Sequence, residues 1–507
     1  MKHIKKLASL LLALVMVFAL ATTAFAEETT YSITINNSAE GHTYEAYQIF
    51  TGDLSGTTLS NIVWGSGVSE AGQTALGDAA AKAETLKNEA DAKAFAKAVA
   101  PYLTTAAGSA NTVTDGKYVI SGLAAGYYLV KDQDGSLTGD NDSYTEYIIK
   151  VVGDVTATPK SDVPEVQKKV KDINDSTDTT KTGWQDSADY DIGDSIPFQL
   201  KATLADNVSS YTTYKVVFHD TLSKGLTYNN DAKVYIDGTE TNGFTVTADG
   251  TTTLTVSCDD VKALGAGNSS VITVEYTAKL NENAVLGSAG NPNEVYLEYS
   301  NNPNKSETGD NETGNTPKDV AIVFTYKTII NKVDGENQPL TGAAFKLEKL
   351  IKGKDGAEDT WTTVKEFTVD ETITSFTFSG LDDGRYKLTE TKTPAGYNTI
   401  DPIYFVIEAT HDETADAPAL KTLNAYLTDV NGNKQTEMKE GESVNIDLGT
   451  VDLTAGSITT TVVNKSGSEL PSTGGIGTTI FYVLGGVLVL AAVVLLVTKK
   501  RMSGAEK

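Results

Sequence analysis

Apolar and polar residues alternate in short runs through most of this chain. Residues 31–35, 144–152, 214–218, 271–276 and 457–463 are rich in Thr, Val, Tyr and Ile, and Gly, Asn and Asp turns separate such runs. A period of two puts one face of each run in a core and the other in water, so these segments predict strands. Helical periodicity is clear only over about 79–103, where Ala, Lys and Glu dominate. The pattern therefore predicts an all-β chain of tandem Ig-like sandwiches, the N-terminal one carrying a helical insertion.

Two apolar runs do not alternate. Leu7 to Leu20 follows Lys2, Lys5 and Lys6 and precedes Ala24-Phe25-Ala26, the order of a secretory signal peptide over 1–26, so the mature chain is expected to start near Glu27. Residues 478–498 are uncharged and, at ~1.5 Å per residue, long enough to cross a bilayer as a transmembrane helix. Lys499-Lys500-Arg501 would hold its end on the cytoplasmic side. Three units are expected between these ends: 27–158 with the helix, 159–326, and 327–466, followed by a tether to Glu469. The polar stretch Thr156 to Pro164, flanked by Pro159 and Pro164, marks the first boundary. The Asn-rich segment 301–315 reads as an exposed excursion before the last strand of the second unit.

Composition narrows the function. Net charge is −26; loss of three signal-peptide lysines and of a net three positive charges beyond Thr473 takes it to about −32. Such a surface repels nucleic acid and anionic membrane. The single cysteine, Cys258, excludes an intrachain disulfide framework and reads as a small buried hydrophobe. His3, His42, His219 and His411 are scattered, so neither a metal cage nor a Ser-His-Asp site assembles. Asp132-Gln133-Asp134-Gly135 and Asp140-Asn141-Asp142 lack the spaced Glu of an EF-hand and read as acidic turns. No cofactor, no metal and no enzyme active site are expected.

Leu470-Pro471-Ser472-Thr473-Gly474 stands just before the apolar span. An LPxTG pentapeptide, a span and a basic tail in this order resemble the cell-wall sorting signal of Gram-positive bacteria, here over 470–507. The resemblance implies that a sortase thiol attacks the Thr473 carbonyl, releases Gly474 and passes the acyl group to an amine, leaving the protein attached to peptidoglycan.

The third unit carries the sharpest motifs. Lys332-Val333-Asp334-Gly335, the run from Pro339 to Leu347, and Tyr386-Lys387-Leu388-Thr389-Glu390-Thr391-Lys392-Thr393-Pro394-Ala395-Gly396-Tyr397 resemble the first strands and the YxLxETxxPxGY box of CnaB-type domains. Thr459 to Lys465 resembles their asparagine-terminated last strand. The resemblance implies a Lys332–Asn464 isopeptide bond with Glu390 as the catalytic acid. The residue types suit that chemistry, because desolvation pushes a buried lysine towards its neutral, nucleophilic form and a buried carboxyl towards its protonated form. Such an acid would hydrogen-bond the amide oxygen of Asn464, polarise its carbonyl and relay a proton as ammonia leaves.

The second unit offers a similar set. In Val166-Gln167-Lys168-Lys169-Val170, alternation puts Lys168 on the face of Val166 and Val170, and Asn293 on the face of Val295 and Leu297. The choice of Lys168 over Lys169, and of Asn293 over Asn291, rests on that alternation alone. Tyr190 to Asp194, Asp220 to Leu226 and Asn291-Pro292-Asn293 resemble the middle domain of fimbrial shaft proteins, which implies a triad with Asp220 as the acid. The first unit departs from the pattern: residues 31–50 contain no lysine, and Asp132 stands where the box glutamate is expected, so no crosslink is expected there. Its Tyr44 to Phe50 and Trp64-Gly65 do resemble the N-terminal domain of shaft pilins.

Lys160, in Thr158-Pro159-Lys160, falls where such subunits carry a pilin-motif lysine. The whole chain thus resembles a major, backbone pilin of a sortase-assembled Gram-positive fimbria. Its implied partners are sortase, identical subunits joined from Thr473 to Lys160, minor pilins and peptidoglycan. The alternative is a wall-anchored adhesin or minor tip pilin that binds a host ligand. It would need an additional ligand-binding domain and would have no use for Lys160.

Overall fold

The computed structural model describes residues 29–137, 141–159, 162–177, 179–180, 183–250, 252–307, 309–354, 356–435 and 446–467, with positions 488, 489 and 494. Two compact units emerge. The first comprises Met1–Ile173, Thr180–Thr325 and His411–Lys421, and the second Asn174–Thr179, Tyr326–Thr410 and Thr422–Lys507. Short segments are thus exchanged relative to a simple division at 326. Most of the expected span over 478–498, with its basic tail and the signal peptide, lies outside the described residues. Among those described, no helix is long and apolar enough to cross a membrane.

The first unit holds two pairs of sheets. In its N-terminal part, Tyr31–Asn36 lies between Lys117–Leu123 and Val155–Ala157, facing a sheet built on Tyr44–Ser55, Gly126–Asp132 and Glu146–Val151. Ile33, Ile35, Tyr44, Tyr118, Ile120 and Val130 fill the space between them. The helical insertion is three helices, Glu70–Leu76, Ala79–Thr85 and Glu89–Val99, where one over 79–103 was expected. Caps explain the breaks. The side chains of Ser69, Asp78 and Asn88 accept hydrogen bonds from the backbone N–H three residues on, and each such residue favours starting a helix over continuing one.

The second pair of sheets holds the buried Lys168. Glu165–Val170 is the edge of a sheet in which it pairs with Ser195–Thr203, which pairs in turn with Val271–Leu280. The opposing sheet runs through Asp319–Phe324, Asn291–Ser300, Val216–Leu222 and Thr253–Cys258. Phe198, Leu200, Phe218, Val256, Val274 and Leu297 form the layer between, and Cys258 is buried on the flank of the same core. The segment 301–315 is not an exposed excursion. Asn301, Asn302 and Ser306 are buried, because the asparagines satisfy one another's turns: Asn302 accepts from Asn304 N–H at 3.0 Å and donates to Glu312 at 2.9 Å. The backbone carbonyls of Asn301 and Asn315 accept hydrogen bonds from Tyr144 and Asn141 of the N-terminal part.

In the second unit, Tyr326–Asp334 pairs with Ser457–Asn464 in parallel and with Ser375–Leu381 in antiparallel fashion. The facing sheet is built on Ala344–Ile351, Gly384–Lys392 and their neighbours. First and last strands of this sandwich are therefore direct neighbours, in register from Lys327↔Ser457 to Asp334↔Asn464.

Candidate functional site: two buried lysine, acid and asparagine sets

Strand alternation turns Lys168 inward, and its side chain is fully buried. A lone ammonium there would be prohibitively costly, so its contacts decide the chemistry. Nζ lies 2.5 Å from Asp220 Oδ1 and 2.7 Å from the hydroxyl of Tyr276. Asp220 comes from the opposing sheet, on Val216–Leu222. Asn293, beside it on Asn291–Ser300, donates from Nδ2 to the Tyr276 hydroxyl at 2.8 Å. The same hydroxyl donates to Asp220 Oδ2. Burial pulls the Lys168 pKa down to about 8, against the opposing pull of Asp220. Burial also raises the Asp220 carboxyl above the usual carboxylate range. Both shifts bring a neutral amine and a neutral acid within reach of each other.

The structure thus brings Lys168, Asp220 and Asn293 together. Lys169 instead pairs with Asp186 at the margin. Asn291 spends its amide on Val285 N–H and on the carbonyls of Val285 and Val323. Tyr276 is the member that sequence reading missed. Ile272, Val274 and Tyr276 alternate inward, which gives the face of the tyrosine, and a buried tyrosine hydroxyl needs a partner, but alternation does not say which one.

In the second unit, Lys332 is fully buried on Tyr326–Asp334. Its Nζ donates to the carbonyls of Val333 at 2.9 Å and Val462 at 3.2 Å. Burial lowers its pKa to about 8, with Glu390 and Asp334 opposing. Glu390 reaches in from the facing sheet, on Gly384–Lys392. Its two carboxylate oxygens accept from Asn464 Nδ2 at 3.0 and 3.1 Å. The acid therefore meets the leaving nitrogen of the amide, where the sequence argument assigned it the oxygen. Asn398 O takes the other amide proton at 3.0 Å. At both sites the asparagine Oδ1 is buried without a partner, a cost of about 1–3 kcal/mol that a merely structural asparagine would avoid.

Asp132, at the box position of the first sandwich, is committed elsewhere. It accepts from Thr145 N–H at 2.8 Å and sits 2.7 Å from His42 Nδ1. His42 Nε2 stands 3.0 Å from Asp142, at ion-pair distance without hydrogen-bond alignment. Burial opposes charge on His42, but the two carboxylates override it and hold its pKa at about 9. An ion triad occupies the place of a crosslink. His411 has Ser187 Oγ 2.7 Å from Nδ1 and Asp172 3.7 Å from Nε2. This is not a nucleophile site, since Ser187 is fully buried and its hydroxyl donates to the Asp412 carbonyl. Lys160, Leu470, Pro471, Thr473 and Gly474 lie outside the described residues.

Known families match these same regions. The Gram-positive pilin backbone subunit 2, Cna-B-like domain matches residues 192–303, which include Asp220, Tyr276 and Asn293. The SpaA prealbumin-like fold domain matches 327–419, and the LPXTG cell wall anchor motif matches 462–503. This chain is a Gram-positive backbone pilin. The pilin is 28% identical over 448 residues to the trypsin-resistant surface T6 protein of Streptococcus pyogenes serotype M6, across 76% of this chain and 77% of the relative. In fold it is similar to the T6 backbone pilin of serotype M6 Streptococcus pyogenes, with a TM-score of 0.54 at 18% identity over 88% of this chain and 100% of the other. The major pilin SpaD of Corynebacterium diphtheriae gives 0.48 at 18% identity, over 88% and 99%. The LPXTG match makes the pilin a cell-wall-anchored surface protein.

Proposed function

We propose that this backbone pilin is polymerised by a sortase that joins Thr473 of one subunit to Lys160 of the next, and that Lys168–Asn293 and Lys332–Asn464 isopeptide bonds lock its second and third sandwiches. The observation that carries the internal bonds is that each buried lysine shares a buried acid environment with an asparagine whose Oδ1 has no partner. In each case the neutral lysine attacks the asparagine Cγ, the Nζ–Cγ bond forms, the Cγ–Nδ2 bond breaks and ammonia leaves. Asp220 and Glu390 move the protons, so no external enzyme is required for this step. Each bond closes a loop of about 130 residues, which in the chain-entropy picture stabilises by about 5 kcal/mol before strain.

Intact-mass measurement of the mature chain tests the reading. The expected result is a deficit of two ammonias, of which Glu390→Ala restores one and Asp220→Ala the other. A wild-type mass equal to that of the uncrosslinked sequence would overturn both bonds.

A further inference from the structure

We infer that Tyr276 is a catalytic residue of the Lys168–Asn293 crosslinking step, delivering the proton on which ammonia departs. This rests on the isopeptide reading of the second sandwich and deepens it.

The two acids differ in reach. In the third sandwich the longer acid, Glu390, touches the leaving nitrogen of Asn464 directly with both oxygens. Asp220 is one methylene shorter, and its carboxylate bonds Lys168 Nζ and the Tyr276 hydroxyl but not Asn293. An amide nitrogen leaves only when protonated, so a proton taken up by Asp220 needs a carrier. Tyr276 fills that gap. Its hydroxyl is within hydrogen-bond distance of Lys168 Nζ at 2.7 Å, of Asp220 and of Asn293 Nδ2 at 2.8 Å. The ring is held between Phe198 and Tyr228, with centroids 5.6 Å from each, and the residue is buried, so bulk water does not compete.

The protons balance. Lys168 first gives one proton to Asp220 and, now neutral, adds to Asn293 Cγ. The amide nitrogen of the adduct becomes tetrahedral and basic. The Tyr276 proton passes to Nδ2, the Asp220 proton refills the tyrosine oxygen, and one proton from the bonded Nζ refills Asp220. The Cγ–Nδ2 bond breaks and ammonia departs. Tyr276 ends as it began, and Asp220 is left protonated beside a neutral amide.

Tyr276→Phe in the mature chain tests the role, because it keeps the ring and removes only the hydroxyl. The expected protein is folded, shows the ammonia loss of the third sandwich, and retains the ammonia of the second, losing it at least about 100-fold more slowly than wild type. A folded Tyr276→Phe chain crosslinked as fast as wild type overturns the role and leaves the bond itself standing. A wild-type chain that keeps the second-sandwich ammonia overturns the bond, and the role with it. Should Tyr276→Phe not fold, 3-fluorotyrosine at position 276 decides, since it preserves shape and hydrogen bonds and changes only acidity. A pulse-chase mass measurement must then show an altered crosslinking rate, and an unchanged rate overturns the role.

Discussion

Lys332 is buried and its Nζ donates to the neutral carbonyls of Val333 and Val462, so desolvation outweighs the pull of Glu390 and Asp334 and its ammonium form is the one the fold disfavours. With a folded pKa of about 8 against 10.5 unfolded, the unfolded chain binds the extra proton throughout that interval. Stability therefore rises with pH between about 8 and 10.5, and below 8 the full penalty persists. In Asn464→Ala, where no bond can form, thermal unfolding of the third sandwich should move to higher temperature as pH rises from 8 to 10, and a flat profile would contradict a buried, neutralising lysine. Much of this was legible from sequence. Alternation alone turned Lys168 and Asn293 inward, and the box motif located Glu390. Tyr276 was not legible, because alternation gives a face and not which three side chains converge on one hydroxyl. The contact of Glu390 with the leaving nitrogen was equally hidden, since it depends on which way an amide is turned.

At the scale of elements, the two sandwiches differ in how tension would meet their strands. Tyr326–Asp334 and Ser457–Asn464 are parallel, so pulling on the start of one and the end of the other shears the whole ladder, and the proposed Lys332–Asn464 bond lies at its far end. In the second sandwich, force arriving through Lys168 and crossing the proposed bond to Asn293 would still have to travel to Phe324. Asn291–Ser300 and Asp319–Phe324 are antiparallel, with Asn293 opposite Ala321, so both ends of this stretch are pulled from the same edge and the ladder peels one pair at a time. Stretching a single subunit from Lys160 to Thr473 should lengthen it by a step on the order of 100 Å, the contour of about 30 residues at ~3.5 Å each. Asp220→Ala should add several hundred ångströms more. An unchanged step in that variant would remove the second bond from the load path. Sequence periodicity identified these strands but not their neighbours: parallel or antiparallel pairing is settled by long-range packing. The helical insertion shows the same limit, since composition marked a helical region over about 79–103 while Asn88 divides it and a further helix, Glu70–Leu76, precedes it.

For the whole molecule, the expected acceptor Lys160 lies after the first sandwich. A polymer joined from Thr473 to Lys160 leaves residues 27–158 beside the line of force rather than on it. Lys160→Ala should leave the subunit folded and abolish the high-molecular-weight ladder on a denaturing gel of wall extracts; an undiminished ladder would put the acceptor elsewhere. An unloaded domain has no mechanical need of a covalent staple, which accords with the ion triad of His42, Asp132 and Asp142 in that place. This first sandwich is seated by hydrogen bonds from Asn141 and Tyr144 to the carbonyls of Asn315 and Asn301, and by Tyr299 donating to Asp142 O at 3.0 Å. All three of those partners lie within the stretch from Asn293 to Phe324 that tension would peel if the proposed bonds carry the load. A taut fibre would therefore unseat its side domains while its backbone stayed whole, so that strain carried along the shaft becomes readable on its surface as newly uncovered protein.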